Sequence, residues 1–170
     1  ASAPALRLFC QEFPVLKPSV SNDFQVEHAT RLIQTYQVLT GRHLIDPALS
    51  QVTAAKALFH APFVVLSHDT SPDPILSYGN LAALELFALT WEALTQMPSR
   101  FTAEAPNRAE RERLLEQVAV CGFINNYAGI RIASTGQRFL INQATVWNLT
   151  DASGKRYGQA ATFRHWQVID

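Results

Sequence analysis

The sequence predicts an α+β domain: a five-stranded antiparallel sheet with short helices over one face and an N-terminal helical extension. Three observations predict this class. Two short apolar segments, FVVLSH and ILSYGN, flank a polar loop near the middle of the chain. The last third alternates strand-like segments with glycine-containing turns, which is typical of a meander. Segments with helical periodicity fill the stretch between these two groups.

The composition indicates a packed domain without a strong charge preference. The chain of 170 residues is 48% hydrophobic and 16% charged, and its 14 basic and 14 acidic residues give a formal net charge of zero. Nucleic-acid-binding proteins usually carry a basic excess, so this balance argues against that class. No apolar run approaches the roughly 20 residues that span a bilayer. Cys10 and Cys121 are too far apart to predict a disulfide framework or a zinc site.

The chain divides into three predicted parts. Residues 1–22 contain three prolines and no helical period, so we expect an extended arm. Residues 23–58 form the helical extension, in which one helix ends at Gly41 and a second begins with Asp46 as N-cap and a proline in its first turn. Residues 59–170 form the main domain. The start ASAPAL lacks Met and fits either an expression remnant or a processed terminus, so we expect the cytoplasm, with the chloroplast stroma as the alternative.

Local signals place the elements of the main domain. We expect Asn80 to cap the helix that follows ILSYGN, while Gly79 supplies the backbone freedom to leave the strand. Thr90 predicts a second short helix, and Asn107 with a glutamate three residues later resembles a capping box for a longer helix ending at Gly122. The segment RFLINQATVWNL then predicts a strand with one alternating face composed of Phe139, Ile141, Gln143, Thr145, Trp147 and Leu149. YGQAATFRHW is the expected last strand.

This order of elements, with YGN turning into a helix, resembles a PAS domain. More narrowly, the sequence is similar to the MEKHLA family of PAS-like domains over most of residues 24–166. The similarity is carried by HATRLIQTYQVLTGRHL, LFHAPFVVLSHDTSPDPILSYGNLAALELF, TWEALTQMPSRFTAE, NYAGIRIASTGQRF, ATVWNL and GQAATF. The family occurs as free-standing small proteins in bacteria and phototrophs, and as the C-terminal module of plant class III homeodomain-leucine-zipper transcription factors. Because we find neither a homeodomain helix nor heptads here, the chain resembles the free-standing form.

The resemblance implies a cavity between the sheet and the short helices, and flavin is the first cofactor to consider. MPSRFTA is similar to the reactive Cys-Arg-Phe segment of light-oxygen-voltage domains, but Ser99 stands at the cysteine position, before Arg100 and Phe101. A hydroxyl cannot form the thiol adduct, so adduct photochemistry is not expected. Dark flavin binding stays an alternative, with Ser99, Arg100, Asn142 and Gln159 as candidate contacts; the simpler interpretation is that they are ordinary polar residues. No cofactor is the main expectation.

Other ligands have weaker support. The predicted long helix, residues 107–121, contains no histidine to bind haem iron. A metal site at His68 with the aspartates of its loop is a remote alternative to a simple polar turn. Aromatic residues either line a pocket for a small apolar molecule or simply fill the core; they are Phe87, Trp91, Phe101, Phe139 and Trp147.

The sequence favours a non-enzymatic module. It contains no P-loop, nucleophile elbow or zinc-protease motif, and the consecutive residues Ser67, His68 and Asp69 are no evidence for a triad, which converges from separate segments. Arg108 and Arg111 either bind a partner's anionic groups or pair with neighbouring glutamates on a solvated helix. We therefore expect a sensory or protein-interaction domain that acts through another protein or a homodimer, with a small-molecule sensor as the alternative.

Overall fold

The computed structural model describes residues 15–170, so the first 14 residues of the predicted arm lie outside the described residues. Its helices are α1 (Val26–Thr40), α2 (Gln51–Phe59), α3 (Leu81–Phe87), α4 (Trp91–Leu94) and α5 (Ala105–Cys121). Its strands are β1 (Val64–Asp69), β2 (Leu76–Gly79), β3 (Phe123–Ile132), β4 (Arg138–Thr150), β5 (Arg156–Phe163) and β6 (His165–Ile169). Short 3₁₀ turns span Val20–Asn22 and Ser99–Thr102.

The strands form one antiparallel sheet in the order β2-β1-β5-β4-β3. β6 continues the line of β5 along β4: residues 145–150 of β4 pair with β5, and residues 138–142 pair with β6. The predicted last strand is therefore divided by a bend at Arg164, and the described sheet has six strands where the sequence predicted five. The α+β class and the single antiparallel sheet are as predicted.

Helices cover both faces of this sheet. On the face that we call the inner face, Leu114 and Val118 of α5 pack against Val146, and Phe87 of α3 meets Phe139 at 5.2 Å between ring centroids. The helices α3 and α5 thus enclose the space above β4 and β5. Short helices over one face were predicted from the sequence.

The first helix covers the opposite, outer face. Tyr36 of α1 stacks edge-on against Trp147 at 5.1 Å, and the indole N–H of Trp147 donates to Oγ1 of Thr35 at 2.9 Å. Leu32 is fully buried and belongs to the same apolar cluster as the sheet residues. The helical extension and the sheet therefore share one core, while the boundary predicted between residues 58 and 59 stays a prediction.

A bulge in β4 changes which residues face each helix layer. Gln143 adopts a left-handed backbone, with φ of 52°, at the point where β5 gives way to β6. Ile141 and Val146, which are an odd number of residues apart, consequently both face the inner side. The predicted alternation is wrong beyond Gln143 because the extra residue of the bulge reverses it, and Trp147 turns to the outer face.

Asn80 caps α3 as predicted, because its Oδ1 accepts the backbone N–H of Ala83 at 3.1 Å. The explanation predicted for Gly79 is wrong, since its φ is not positive. Glycine is needed there for space: an added Cβ would lie 2.7 Å from Cδ1 of Leu94 and 3.3 Å from Cδ2 of Leu66. The strand end is therefore packed tightly under α4.

The starts of α2 and α5 differ from the prediction, whereas the start of α4 and the stops of α1 and α5 agree. α2 begins after Ser50, whose hydroxyl accepts the N–H of Thr53, four residues later than the predicted cap Asp46. α5 begins at Ala105 after Glu104, so Asn107 lies inside the helix rather than at its cap. Thr90 caps α4, and the glycines at positions 41 and 122 follow α1 and α5 with positive φ, all as predicted.

Candidate functional site

A cavity of about 70 Å³ lies between α5 and the inner face of the sheet. Most of its wall is apolar and includes Leu66, Phe87, Leu114, Ile141, Val146 and Phe163. Polar and charged side chains also line it: His68, Thr102, Arg111, Tyr127, Arg131 and Gln159. Burial of such groups in apolar surroundings costs free energy unless each finds a partner, so their contacts define the chemistry of the cavity.

Arg111 is the charged residue that α5 directs towards the sheet. It lies three residues before Leu114 and seven before Val118, on the same buried stripe of the helix, and is only 7% exposed. Its Nη2 donates to Oγ of Ser99 at 2.8 Å. Burial, reinforced by the nearby charge of Arg131, lowers the pKa of Arg111 to about 10, so the guanidinium is still charged at neutral pH.

Arg131 reaches the same cavity from β3 and is also 7% exposed. Its Nη2 donates to the hydroxyl of Tyr127 at 3.0 Å, and its guanidinium lies 5.5 Å from the centre of that ring. The hydroxyl of Tyr127 in turn donates to Oε2 of Glu110 at 2.9 Å. Burial raises the pKa of Tyr127, so the phenol keeps its proton. Arg131 is thus connected to a carboxylate only through a neutral hydroxyl.

Neither buried arginine has a direct acidic partner among residues 15–170. The two ion pairs found in that range, within 4.0 Å, join Arg100 to Asp73 and Arg138 to Glu104, both at the surface. The cavity therefore carries two positive charges that the described side chains do not neutralise directly.

His68 adds an unpaired polar atom to the cavity lining. Its Nδ1 donates to the carbonyl oxygen of Asp69 at 2.8 Å, which fixes the proton on that nitrogen of the neutral ring. Burial lowers the pKa of His68, and the charge of Arg111 lowers it further, so the ring is neutral. Its Nε2 is then an acceptor, and it is buried without a hydrogen-bond partner among the described residues.

The four residues predicted to contact flavin do not meet in one space. Gln159 lines the cavity, but its amide nitrogen is used on the carbonyl of Leu115 at 3.0 Å. Ser99 is buried beside the cavity and accepts from Arg111. Arg100 is at the surface in its ion pair, and Asn142 lies opposite β6, away from the cavity lining. These positions do not form a common binding site.

The cavity is also too small for a flavin. Pockets for ligands of that size measure roughly 300–1,000 Å³, whereas this one measures about 70 Å³. The three-ring system of flavin is larger than this cavity as α5 and the sheet are packed here, and dark flavin binding stays a prediction.

Four of the five aromatic residues predicted to line a pocket or fill the core differ in their surroundings. Phe87 lines the cavity as predicted. Trp91 is buried elsewhere, where its ring meets Tyr78 at 5.9 Å. Phe101 is 42% exposed, and Trp147 faces α1 because of the bulge in β4. Core filling therefore describes the two tryptophans better than ligand contact.

The predicted partner surface is wrong for one of its two arginines. Arg108 donates to the carbonyl of Ala103 at 3.1 Å and lies 5.1 Å from the ring centre of Phe101, near the surface. Arg111 is buried, because its position three residues before Leu114 turns it inward. The charged segment RAERER is consequently not a uniformly solvated face.

The sequence interpretation missed Arg131 and His28. The available signal for Arg131 was a charged residue at an inward position of GIRIAS. His28 of α1 lies on the outer face, where Nε2 is 2.9 Å from Oγ of Ser67 and Nδ1 is 3.0 Å from the hydroxyl of Tyr157. Strand alternation places Ser67 and His68 on opposite faces, so the consecutive residues form no triad. No local sequence pattern relates His28 to Ser67, so their contact could not be predicted from the sequence.

Two other classes of site are not found in the described residues. Residues 15–170 contain no group of three or more His, Cys, Asp or Glu side chains that could hold a metal ion, so the remote metal hypothesis for His68 is wrong there. Over the same range, no helix combines the length and the apolar character that crossing a membrane requires.

The fold has the architecture of PAS domains. The PAS domain of a Colwellia psychrerythraea protein superposes with a TM-score of 0.55 at 14% identity, covering 69% of this chain and 94% of that one. An RNA-binding light-oxygen-voltage receptor superposes with a TM-score of 0.58 at 19% identity, covering 75% of this chain and 35% of the receptor. At these identities the likeness concerns the fold alone.

The family is defined by sequence. The MEKHLA domain model matches residues 26–168, and the chain belongs to this family of PAS-like sensory domains. The homeobox-leucine zipper proteins ATHB-9 and ATHB-14 of Arabidopsis thaliana are 25% and 24% identical to it, over 81% and 80% of the chain. The matches cover only 17% and 16% of those proteins, so the chain spans about a sixth of the length of these curated relatives.

Proposed function

We propose that this domain is a non-enzymatic sensory module that binds a small molecule in the cavity between α5 and the sheet. The observation that carries the proposal is the buried polar lining, because two charged arginines and an unpaired histidine nitrogen are unusual in a space that only needs to be filled. A ligand that satisfies these groups would stabilise one position of α5. The signal would then pass through α5 to a partner protein.

The proposal is tested by native mass spectrometry of the protein isolated from its own cells. We expect a retained small molecule that is lost in Ala161→Leu, since Ala161 lines the cavity and a larger apolar side chain would fill it. The matched control is Ala119→Leu on the exposed side of α5, which should retain the molecule. Ligand binding would be contradicted if the parent protein retains no small molecule and the Ala161→Leu variant is as stable as the parent. A retained flavin would instead support the alternative cofactor.

Partner binding or dimerisation is the second candidate and is favoured by exposed apolar residues near the ends of two helices. Val38 of α1 is 77% exposed and Val120 of α5 is 87% exposed. The two helix ends are neighbours, since an added Cβ at Gly122 would lie 3.3 Å from Leu39. Light scattering after size exclusion should show a dimer or a complex that Val38→Ser with Val120→Ser dissociates. A monomer at every concentration, without a captured partner, would contradict this candidate.

A further inference from the structure

The two buried arginines have no acidic side chain within ion-pair distance among residues 15–170. Taking a guanidinium out of water is unfavourable unless an anion faces it. Arg111 uses one nitrogen on Ser99, and Arg131 uses its terminal nitrogens on Tyr127 and on the carbonyl of Ile130. These partners are neutral groups. A ligand carrying a carboxylate or another oxyanion could accept hydrogen bonds from both guanidinium groups and neutralise one of the two charges.

His68 provides an independent indication of a ligand. Its ring lines the same cavity, the residue is 8% exposed, and Nε2 is a buried acceptor without a partner in residues 15–170. An unsatisfied buried polar atom is destabilising, because it has lost its hydrogen bonds to water without replacing them. A carboxylate cannot donate a hydrogen bond to this nitrogen, so the complementary ligand carries a proton donor besides its negative charge.

The dimensions and the wall of the cavity restrict the rest of the ligand. Its volume is about 70 Å³, compared with roughly 150 Å³ for an engineered apolar cavity that holds benzene. There is space for a few heavy atoms only. Leu114, Ile141 and Phe163 contribute apolar wall, so the part of the ligand that joins its two polar ends is a short hydrocarbon.

We propose that the cavity binds a small hydroxycarboxylate, with its carboxylate between the guanidinium groups of Arg111 and Arg131 and its hydroxyl donating to Nε2 of His68. This inference rests on the proposed sensory function and names the ligand class for the same cavity. Glycolate, with two carbon atoms, is the smallest molecule of this class and is the probe of choice.

Isothermal titration calorimetry with three molecules of matched shape tests the assignment. Glycolate carries both groups, propionate replaces the hydroxyl by a methyl group, and glycolamide replaces the carboxylate by a neutral amide. At constant ionic strength we expect glycolate to bind, propionate to bind about tenfold more weakly because His68 stays unpaired, and glycolamide to show no binding. Equal affinity for glycolate and propionate would overturn the role of His68.

Variants of two arginines on α5 separate recognition from folding. Arg111→Met should abolish glycolate binding, whereas Arg113→Met, on the exposed face of the same helix, should leave the affinity unchanged. Replacing an incompletely paired buried charge by an apolar side chain of similar length is often neutral or stabilising. Arg111→Met should therefore unfold at no lower a urea concentration than the parent, so that lost binding reflects the missing charge.

The outcomes distinguish this inference from the proposed function. Undiminished glycolate binding by Arg111→Met, or equal binding of glycolamide, overturns the anion assignment while leaving a small-molecule sensor in place. Failure of all three probes, together with a different molecule retained from the cell, has the same consequence. Failure of all three probes, with no retained molecule at all, overturns both proposals.

Discussion

Asn80→Ala is the substitution that most directly tests how the helices are joined to the sheet. The side chain is fully buried, and its Oδ1 accepts the backbone N–H groups of Val65 and Ala83, each at 3.1 Å. Its Nδ2 donates to the carbonyls of Leu58 at 3.1 Å and Phe63 at 2.7 Å. One amide thereby connects the end of α2, the start of β1 and the first turn of α3.

The magnitude follows from what truncation leaves behind. A hydrogen bond contributes about 0.5–1.5 kcal/mol net, and a buried backbone group left without a partner costs about 1–3 kcal/mol. With four bonds removed and little access for water at Asn80, we expect the free energy of unfolding to fall by roughly 3–5 kcal/mol. Asn80→Asp should be at least as damaging, since its second oxygen would face the carbonyls of Leu58 and Phe63 instead of donating to them.

Equilibrium urea unfolding measures this loss, and Thr90→Ala is the matched control. Thr90 also caps a helix, by accepting the N–H of Ala93 at 3.1 Å, but it is exposed and makes only this capping bond. Its removal should cost about 1 kcal/mol. If Asn80→Ala lowers stability no more than Thr90→Ala does, with unchanged dependence on urea, then Asn80 does not organise the fold as described.

Three further predictions concern backbone and protonation. Gly79→Ala should lower stability by about 1–3 kcal/mol, because the added Cβ meets Leu94 at 2.7 Å. In a double-mutant cycle, this loss should be smaller in the Leu94→Ala background than in the parent if that contact is its cause. Gln143→Gly should raise the urea midpoint by relieving the left-handed backbone, a gain of about 1 kcal/mol, whereas Gln137→Gly should bring no gain. Burial lowers the pKa of His28 to about 4, so the unfolded chain binds more protons between that value and the ordinary pKa near 6.5. Stability should therefore be full above pH 6.5 and fall as the pH decreases towards 4, and a urea midpoint that stays constant over this interval would contradict the buried, neutral His28.

Local sequence signals predicted several of the helix starts and ends correctly. The caps at Asn80 and Thr90 and the stop at Gly122 depend on interactions within a few residues, which the sequence displays directly. The same reasoning failed at Asp46, where Ser50 provides a competing cap four residues later. Choosing between two adequate caps depends on how the helix packs, and that information is not local.

The candidate site was predicted poorly because it depends on contacts between distant segments. Residues 68, 111 and 131 belong to a strand, a helix and another strand, and no spacing rule relates them. Trp147 illustrates the second difficulty. It was expected beside Ile141 on one face, and the bulge at Gln143 moved it to the other. A bulge changes every later position in its strand, so one unpredicted residue misplaced half of β4.

Arg111 and Arg131 differ from these residues because packing alone does not explain them. Asn80 and Trp147 are buried polar groups whose hydrogen bonds are satisfied by the fold, and they therefore stabilise it. The two arginines are also buried, but the described structure gives them neutral partners and places them where their charges repel. If Arg111 and Arg131 only filled space, methionine at either position would leave the protein at least as stable. The proposed ligand would account for the positive charge in the cavity, and the stability of Arg111→Met relative to its ligand affinity is the measurement that separates the two roles.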